Sequence, residues 1–170
     1  MSEYIINNIA DLEDAVNKIL TNDTKQNALN FIRNLVSIGD MIATGNNYDG
    51  RVIYKGYKIC DFHISGESGG YPGPYTIWMV GDYNEEIESV PFDNRMKEIA
   101  WENVHYCTFP NCSTTSFCSE RKVLFGRNFD NVCRHCTIAF TEDPNVETIE
   151  CANKLVEMRK CAIDAYVATT

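Results

Sequence analysis

Basic residues are scarce in this 170-residue chain: 15 lysines and arginines stand against 24 acids, a formal charge of −9. Such a chain is repelled by DNA, RNA and anionic lipid unless its few cations gather in one place, so neither nucleic acid nor a membrane is an expected partner. Long apolar runs are missing too. No stretch approaches the roughly 20 apolar residues that cross a bilayer. The start, Met1-Ser2-Glu3-Tyr4, lacks the basic and then apolar pattern of a signal peptide. A cytoplasmic location is therefore expected, where thiols stay reduced. Histidine is sparse, and neither His63 nor His105 has a serine or an acid at a spacing that signals a catalytic triad, so no catalytic residue is assigned. No repeat, low-complexity tract or long linker divides the chain.

What is present suits a soluble globular domain: 44% apolar and 23% charged residues. Ile9, Leu12, Val16, Ile19 and Leu20 recur at helical spacing over residues 8–20, with Asn8 as a cap. Asp23 and Gln26 have the spacing of a capping box. They predict a second helix with Ala28, Phe31, Ile32, Leu35, Val36 and Ile38 inward, closed by a left-handed Gly39. Arg51–Tyr54 and Tyr57–Ile64 read as two strands joined by the tight turn Lys55-Gly56. Their alternation puts Tyr57, Ile59, Asp61 and His63 on one face and Cys60, Phe62 and Ile64 on the core face. Tyr75–Val80 predicts a third strand. Asp93 caps a helix through Val104, and a hairpin over 123–132 turns at Gly126-Arg127. Thr137–Phe140 reads as a strand. Asp143-Pro144 opens a last helix, with Pro144 at its first position, running to about residue 163. The expected architecture is α+β: an antiparallel sheet of five to six strands with helices packed against it. It forms a single domain over 1–170, with a helical pair in 1–45 and a sheet-plus-helix core in 46–170 that carries a cysteine-rich insert at 105–119.

Cysteine is the one unusual abundance. Eight are present, and Cys107, Cys112, Cys118, Cys133 and Cys136 fall within thirty positions, flanked by His105 and His135. Zinc takes four such ligands in a tetrahedron. The insert between Cys112 and Cys118, made of small polar residues, buries too little to order itself, so a metal cross-link would give it a reason to hold a shape. The Cys133-Arg134-His135-Cys136 pair lacks a matching second knuckle. If Cys133 ends a strand, it and Cys136 point to opposite faces unless the chain turns at Arg134-His135. Two other readings stand beside the metal: packed reduced thiols in a metal-free domain, or a redox protein or enzyme using one thiol of lowered pKa, for which the strand-CxxC-helix context is absent. Cys60, Cys151 and Cys161 read as core filler.

Residues 66–74 hold four glycines and two prolines and predict a loop. With Tyr71, Tyr75 and Trp78 beside it, this loop is a candidate cleft for a small molecule or a protein partner, although packing in the core is the stronger reading of Trp78. Arg121, Lys122, Arg127 and Arg134 form a local basic patch expected to counter nearby acids.

The second half also carries a resemblance. Trp101-Glu102-Asn103-Val104-His105-Tyr106-Cys107, Phe125-Gly126-Arg127-Asn128-Phe129-Asp130-Asn131-Val132-Cys133, and the run from Asp143-Pro144 to Lys160 resemble a family found in clostridia and related bacteria. Its pattern is a tryptophan-bearing helix, closely spaced cysteines, a phenylalanine-glycine hairpin ending in Val-Cys, and a final helix. The resemblance covers about residues 95 to 163. It implies recurring thiols at Cys107, Cys112, Cys118 and Cys133, the set taken here as zinc ligands, with Cys136, His105 and His135 as alternatives. Ser119-Glu120 replaces a Pro-Gly common after the third cysteine. No activity or substrate follows from the resemblance.

Overall fold

The computed structural model describes residues 5–46, 49–65, 75–80, 91–106, 119–133, 137–140 and 145–170. The described elements are, in order, β1 (Ile5–Ile6), α1 (Ile9–Ile19), α2 (Asn22–Ile38), β2 (Met41–Asn46), β3 (Asp49–Tyr54), β4 (Tyr57–Ser65), β5 (Tyr75–Val80), α3 (Asn94–Glu102), β6 (Ser119–Leu124), β7 (Arg127–Cys133), β8 (Ile138–Phe140) and α4 (Val146–Thr169). The fold is α+β. One antiparallel sheet has the order β1-β2-β3-β4-β5-β8, and β6-β7 form a separate two-stranded sheet. No described helix is long and apolar enough to cross a membrane.

Helices lie on one face of the main sheet. Leu12, Ala15 and Val16 of α1, Phe31, Ile32 and Leu35 of α2, and Leu155 and Val156 of α4 share one buried cluster with Ala43, Val52, Phe62, Ile64 and Trp78 from the strands. Trp78 is the largest side chain wholly hidden there, its ring 4.4 Å from Phe31 and 6.2 Å from Phe62. The first 45 residues are not purely helical. β1 and most of β2 lie within them and extend the sheet beyond β3, because Met41 and Ala43 alternate with exposed Ile42 and Thr44 in a strand pattern.

Local chemistry explains most element ends and corrects several expectations. Asn8 caps α1, its side chain accepting from the Asp11 amide at 2.9 Å, while the Asp11 carboxylate accepts from the Asn7 amide at 2.8 Å. The capping box predicted at Asp23 and Gln26 is not what starts α2. There, Thr21 is the N-cap without a side-chain cap bond, and Gln26 donates to Asn30 instead. Val36 is exposed on the flank of α2 rather than inward. Gly39 is extended, not left-handed. A Cβ there would lie 2.9 Å from the Tyr54 ring, so close approach is what demands glycine. Lys55-Gly56 has φ of +49° and +84°, the pair of left-handed residues that a tight hairpin requires. The β6–β7 turn repeats this at Phe125-Gly126, φ +50° and +80°, one residue earlier than expected. Asn145 caps α4, accepting from the Thr148 amide at 2.9 Å, so the helix begins after Pro144 and runs to Thr169. Pro144 itself lies outside the described residues.

Strand β4 departs from simple alternation. Ile53 pairs with Lys58 but Val52 with Cys60, so Ile59 is the extra residue of a β-bulge. Ile59 is fully buried beside Cys60 instead of sharing the outer face with Asp61 and His63.

Candidate functional site

The hairpin β6–β7 joins the main sheet through residues 103–106. Ala139 donates to the Asn103 carbonyl at 2.9 Å, and Val104 bridges Ile138. Tyr106 bridges Val132, while the Cys133 amide donates to the His105 carbonyl at 2.9 Å. The His105 amide in turn donates to the Thr137 carbonyl at 3.0 Å. Thus β7 and β8 run along the same edge of this segment, one after the other. Thr137 is fully buried, and its hydroxyl reaches the Cys133 carbonyl at 3.4 Å. On the other edge of β7, Ser119 pairs with Cys133. The end of β7 therefore lies between two backbone segments, with Cys133 only 2% exposed.

Aromatic packing anchors this junction. Trp101 donates its indole N–H to the Leu124 carbonyl at 2.8 Å. The Arg127 guanidinium lies 5.6 Å from the Trp101 ring and 5.3 Å from that of Phe129, where a cation meets the negative faces of the rings. Phe92 and Phe125 stack at 4.6 Å. Nearby charges are countered locally, Arg121 by Asp130 at 3.5 Å and Lys122 by Glu120 at 3.0 Å. Arg134 lies outside the described residues.

Of the proposed thiol ligands, only Cys133 belongs to the described residues; Cys107, Cys112 and Cys118 do not, nor do the alternatives Cys136 and His135. Among the described residues, no three His, Cys, Asp or Glu side chains converge in a metal-binding arrangement. His105 stands at the junction, and partial burial holds its imidazole pKa below the ordinary value. Of the remaining thiols, Cys60 and Cys151 are buried as expected of core filler. Desolvation pushes the Cys60 pKa far up and that of Cys151 up to about 12, so both stay protonated at neutral pH and neither is the low-pKa nucleophile of the redox reading. Cys151 also donates to the Met96 carbonyl at 3.6 Å. Cys161 is exposed on α4, not in the core.

The cleft expected at Tyr71, Tyr75 and Trp78 has one member whose side chain is described. Trp78 is wholly buried and serves the core; Tyr75 opens β5 with its backbone paired to Ser65, and Tyr71 lies outside the described residues.

Two polar clusters escaped the sequence reading. His63 Nδ1 and the Asp49 carboxylate are hydrogen-bond partners across directly paired positions of β3 and β4. Asp164 of α4 accepts from Tyr54 Oη at 2.9 Å, from Lys55 Nζ at 2.7 Å and, on its other oxygen, from Lys160 Nζ at 2.7 Å. These donors hold the Asp164 carboxyl well below the usual range and raise both lysines. The members lie up to 110 positions apart, and only the fold brings them together. Comparisons with protein-family models, curated proteins and solved structures yield no match.

Proposed function

We propose that this chain is a non-enzymatic binding module whose cysteine-rich insert is ordered by a structural zinc ion, with Cys107, Cys112, Cys118 and Cys133 as its thiolate ligands and a small molecule or protein as the module's partner. The observation that carries this reading is the anchoring of both ends of the insert at the end of β7. Tyr106, immediately before Cys107, pairs with Val132, and Ser119, immediately after Cys118, pairs with Cys133. Consecutive Cα atoms are about 3.8 Å apart and neighbouring strands about 4.8 Å. The two described ends of the insert, Tyr106 and Ser119, therefore both stand beside the end of β7 that carries Cys133, which supports thiolates from the insert and from the strand sharing one ion. The resemblance to the clostridial family supports the same four positions. Zinc bound there supplies a cross-link and no reaction. The chain's own contribution is a strand end already held by backbone hydrogen bonds on both edges.

One observation favours a variant ligand set. Thr137, whose carbonyl accepts from the His105 amide at this junction, follows Cys136 directly in the sequence, so Cys136 is the proposed replacement for Cys112. Elemental analysis of the untagged, freshly reduced full chain tests both. One equivalent of zinc supports the site, and less than about a tenth of an equivalent under the tight binding expected of such sites rejects it. Loss of zinc in Cys112→Ser but not Cys136→Ser selects the first set, and the reverse result selects the second.

A further inference from the structure

Among the described residues, helices cover one face of the main sheet, and the outward side chains of β1 to β4 form a second surface. Ile42 and Ile53 are paired across β2 and β3 on this surface. Ile42 is 57% exposed, and Ile5, which also points away from the core, is 59% exposed. Beside them β3 and β4 present Asp49, Arg51, Lys58 and Asp61. Lys58 bridges Asp61 at 2.8 Å and His63 holds Asp49, whereas Arg51 is exposed and makes no ion pair among the described residues. With two acids against two bases these side chains are balanced, although the chain as a whole carries −9.

We propose that this sheet face is the interface of a two-fold homodimer. Two copies of a −9 chain repel each other over most of their surface. They approach at least cost where charge is balanced and apolar side chains are exposed, and both conditions hold on this face. A two-fold contact sets residue i of one copy against residue j of the other, and j against i. A patch carrying equal numbers of Asp and Arg or Lys is then complementary to itself. A strongly charged partner of either sign gains nothing from a balanced patch. The exposed isoleucines supply the dry centre, and Arg51 finds a carboxylate on the second copy.

Sedimentation equilibrium of the full chain tests this. The expected mass is twice the 19.3 kDa of one chain, with dimerisation roughly tenfold tighter at about 500 mM than at about 20 mM salt, because screening removes the repulsion between like-charged copies. Ile42→Asp weakens the dimer at least about tenfold, since it buries a charge at the centre of the contact. Val36→Asp, at an exposed position of α2 on the opposite layer, leaves it unchanged. Arg51→Ala, a surface change tolerated by the fold, weakens the dimer independently and stands in should Ile42→Asp not fold. A chain that stays monomeric at every salt concentration, or a dimer insensitive to both Ile42→Asp and Arg51→Ala, overturns the proposal.

Discussion

The main sheet with its helices and the β6–β7 hairpin differ in how much apolar surface each hides. The first gathers side chains from Ile6 to Ile163 in one continuous cluster. Among the described residues, the second has a cluster of four, Val104, Leu124, Phe129 and Val132, with Trp101 and Phe125 packed against them, and the buried Cys133 at its end. Burial contributes roughly 25 cal/mol per Å² of apolar area, so the larger cluster can stabilise its region without help. The hairpin lacks that surface and leans on specific links: the indole hydrogen bond of Trp101, the Phe92–Phe125 stack and the backbone bonds of residues 103–106. Where packing is thin, a metal cross-link would have the most to add, and in the sequence five of the eight cysteines fall between positions 107 and 136, within or next to this hairpin.

The largest effect is expected in the main core. Phe62→Ala removes a ring only 1% exposed and is predicted to cost about 3–5 kcal/mol, with a cavity left behind. Urea denaturation followed by far-ultraviolet circular dichroism should show the whole fold losing stability together. A loss confined to the hairpin would mean that the main sheet is not stabilised by this cluster.

Cys133→Ser is predicted to cost about 2–4 kcal/mol through a mechanism other than packing, since structural zinc contributes directly to folding. The loss should disappear when wild type and variant are compared in chelator, where both lack metal. An equal loss with and without chelator would mean that Cys133 acts as a packed thiol.

A smaller change sharpens the contrast. Trp101→Phe keeps most of the ring area but deletes the bond to the Leu124 carbonyl. The expected cost is about 1 kcal/mol, read as faster amide exchange in β6 and β7 with β3 and β4 unaffected.

The smallest effect concerns the polar clamp at the C-terminal half of α4. Asp164→Asn should slightly lower the melting temperature at neutral pH, an exposed ion pair being weak. The sign follows from linkage. The folded pKa of Asp164 is depressed, so its stabilisation is present above the unfolded value of about 3.9. It is lost as pH falls through the folded pKa. Melting curves of wild type and Asp164→Asn should therefore converge in strong acid.

Much of this architecture was legible in the residues. Helical periodicity located α1, α2 and α4, and the Asp93 cap set the start of α3. Lys55-Gly56 marked its hairpin because a glycine between two strand-like runs lets a two-residue turn take positive φ. Other features could not be read locally. β1 is two residues long and exists only because β2 offers an edge. The bulge at Ile59 arises from pairing register, which alternation alone does not contain. Gly39 looked like a helix terminator, yet its reason is a ring contributed by a residue fifteen positions later. Cys161 and Val36 sat near apolar stripes, but what covers a helix flank depends on neighbouring elements. At the candidate site, sequence spacing picked out the thiols, whereas the enclosure of Cys133 between Ser119 and His105 needed the strand pairing.

On the proposed zinc reading, the hairpin end is held by metal and the main sheet by packing. Native-state amide exchange of the zinc-loaded full chain, before and after a chelator, tests it most directly. Protection should collapse across residues 119–133 while β3 and β4 keep theirs. Unchanged protection of 119–133 after complete zinc removal, or a chain that never carried zinc, would contradict it.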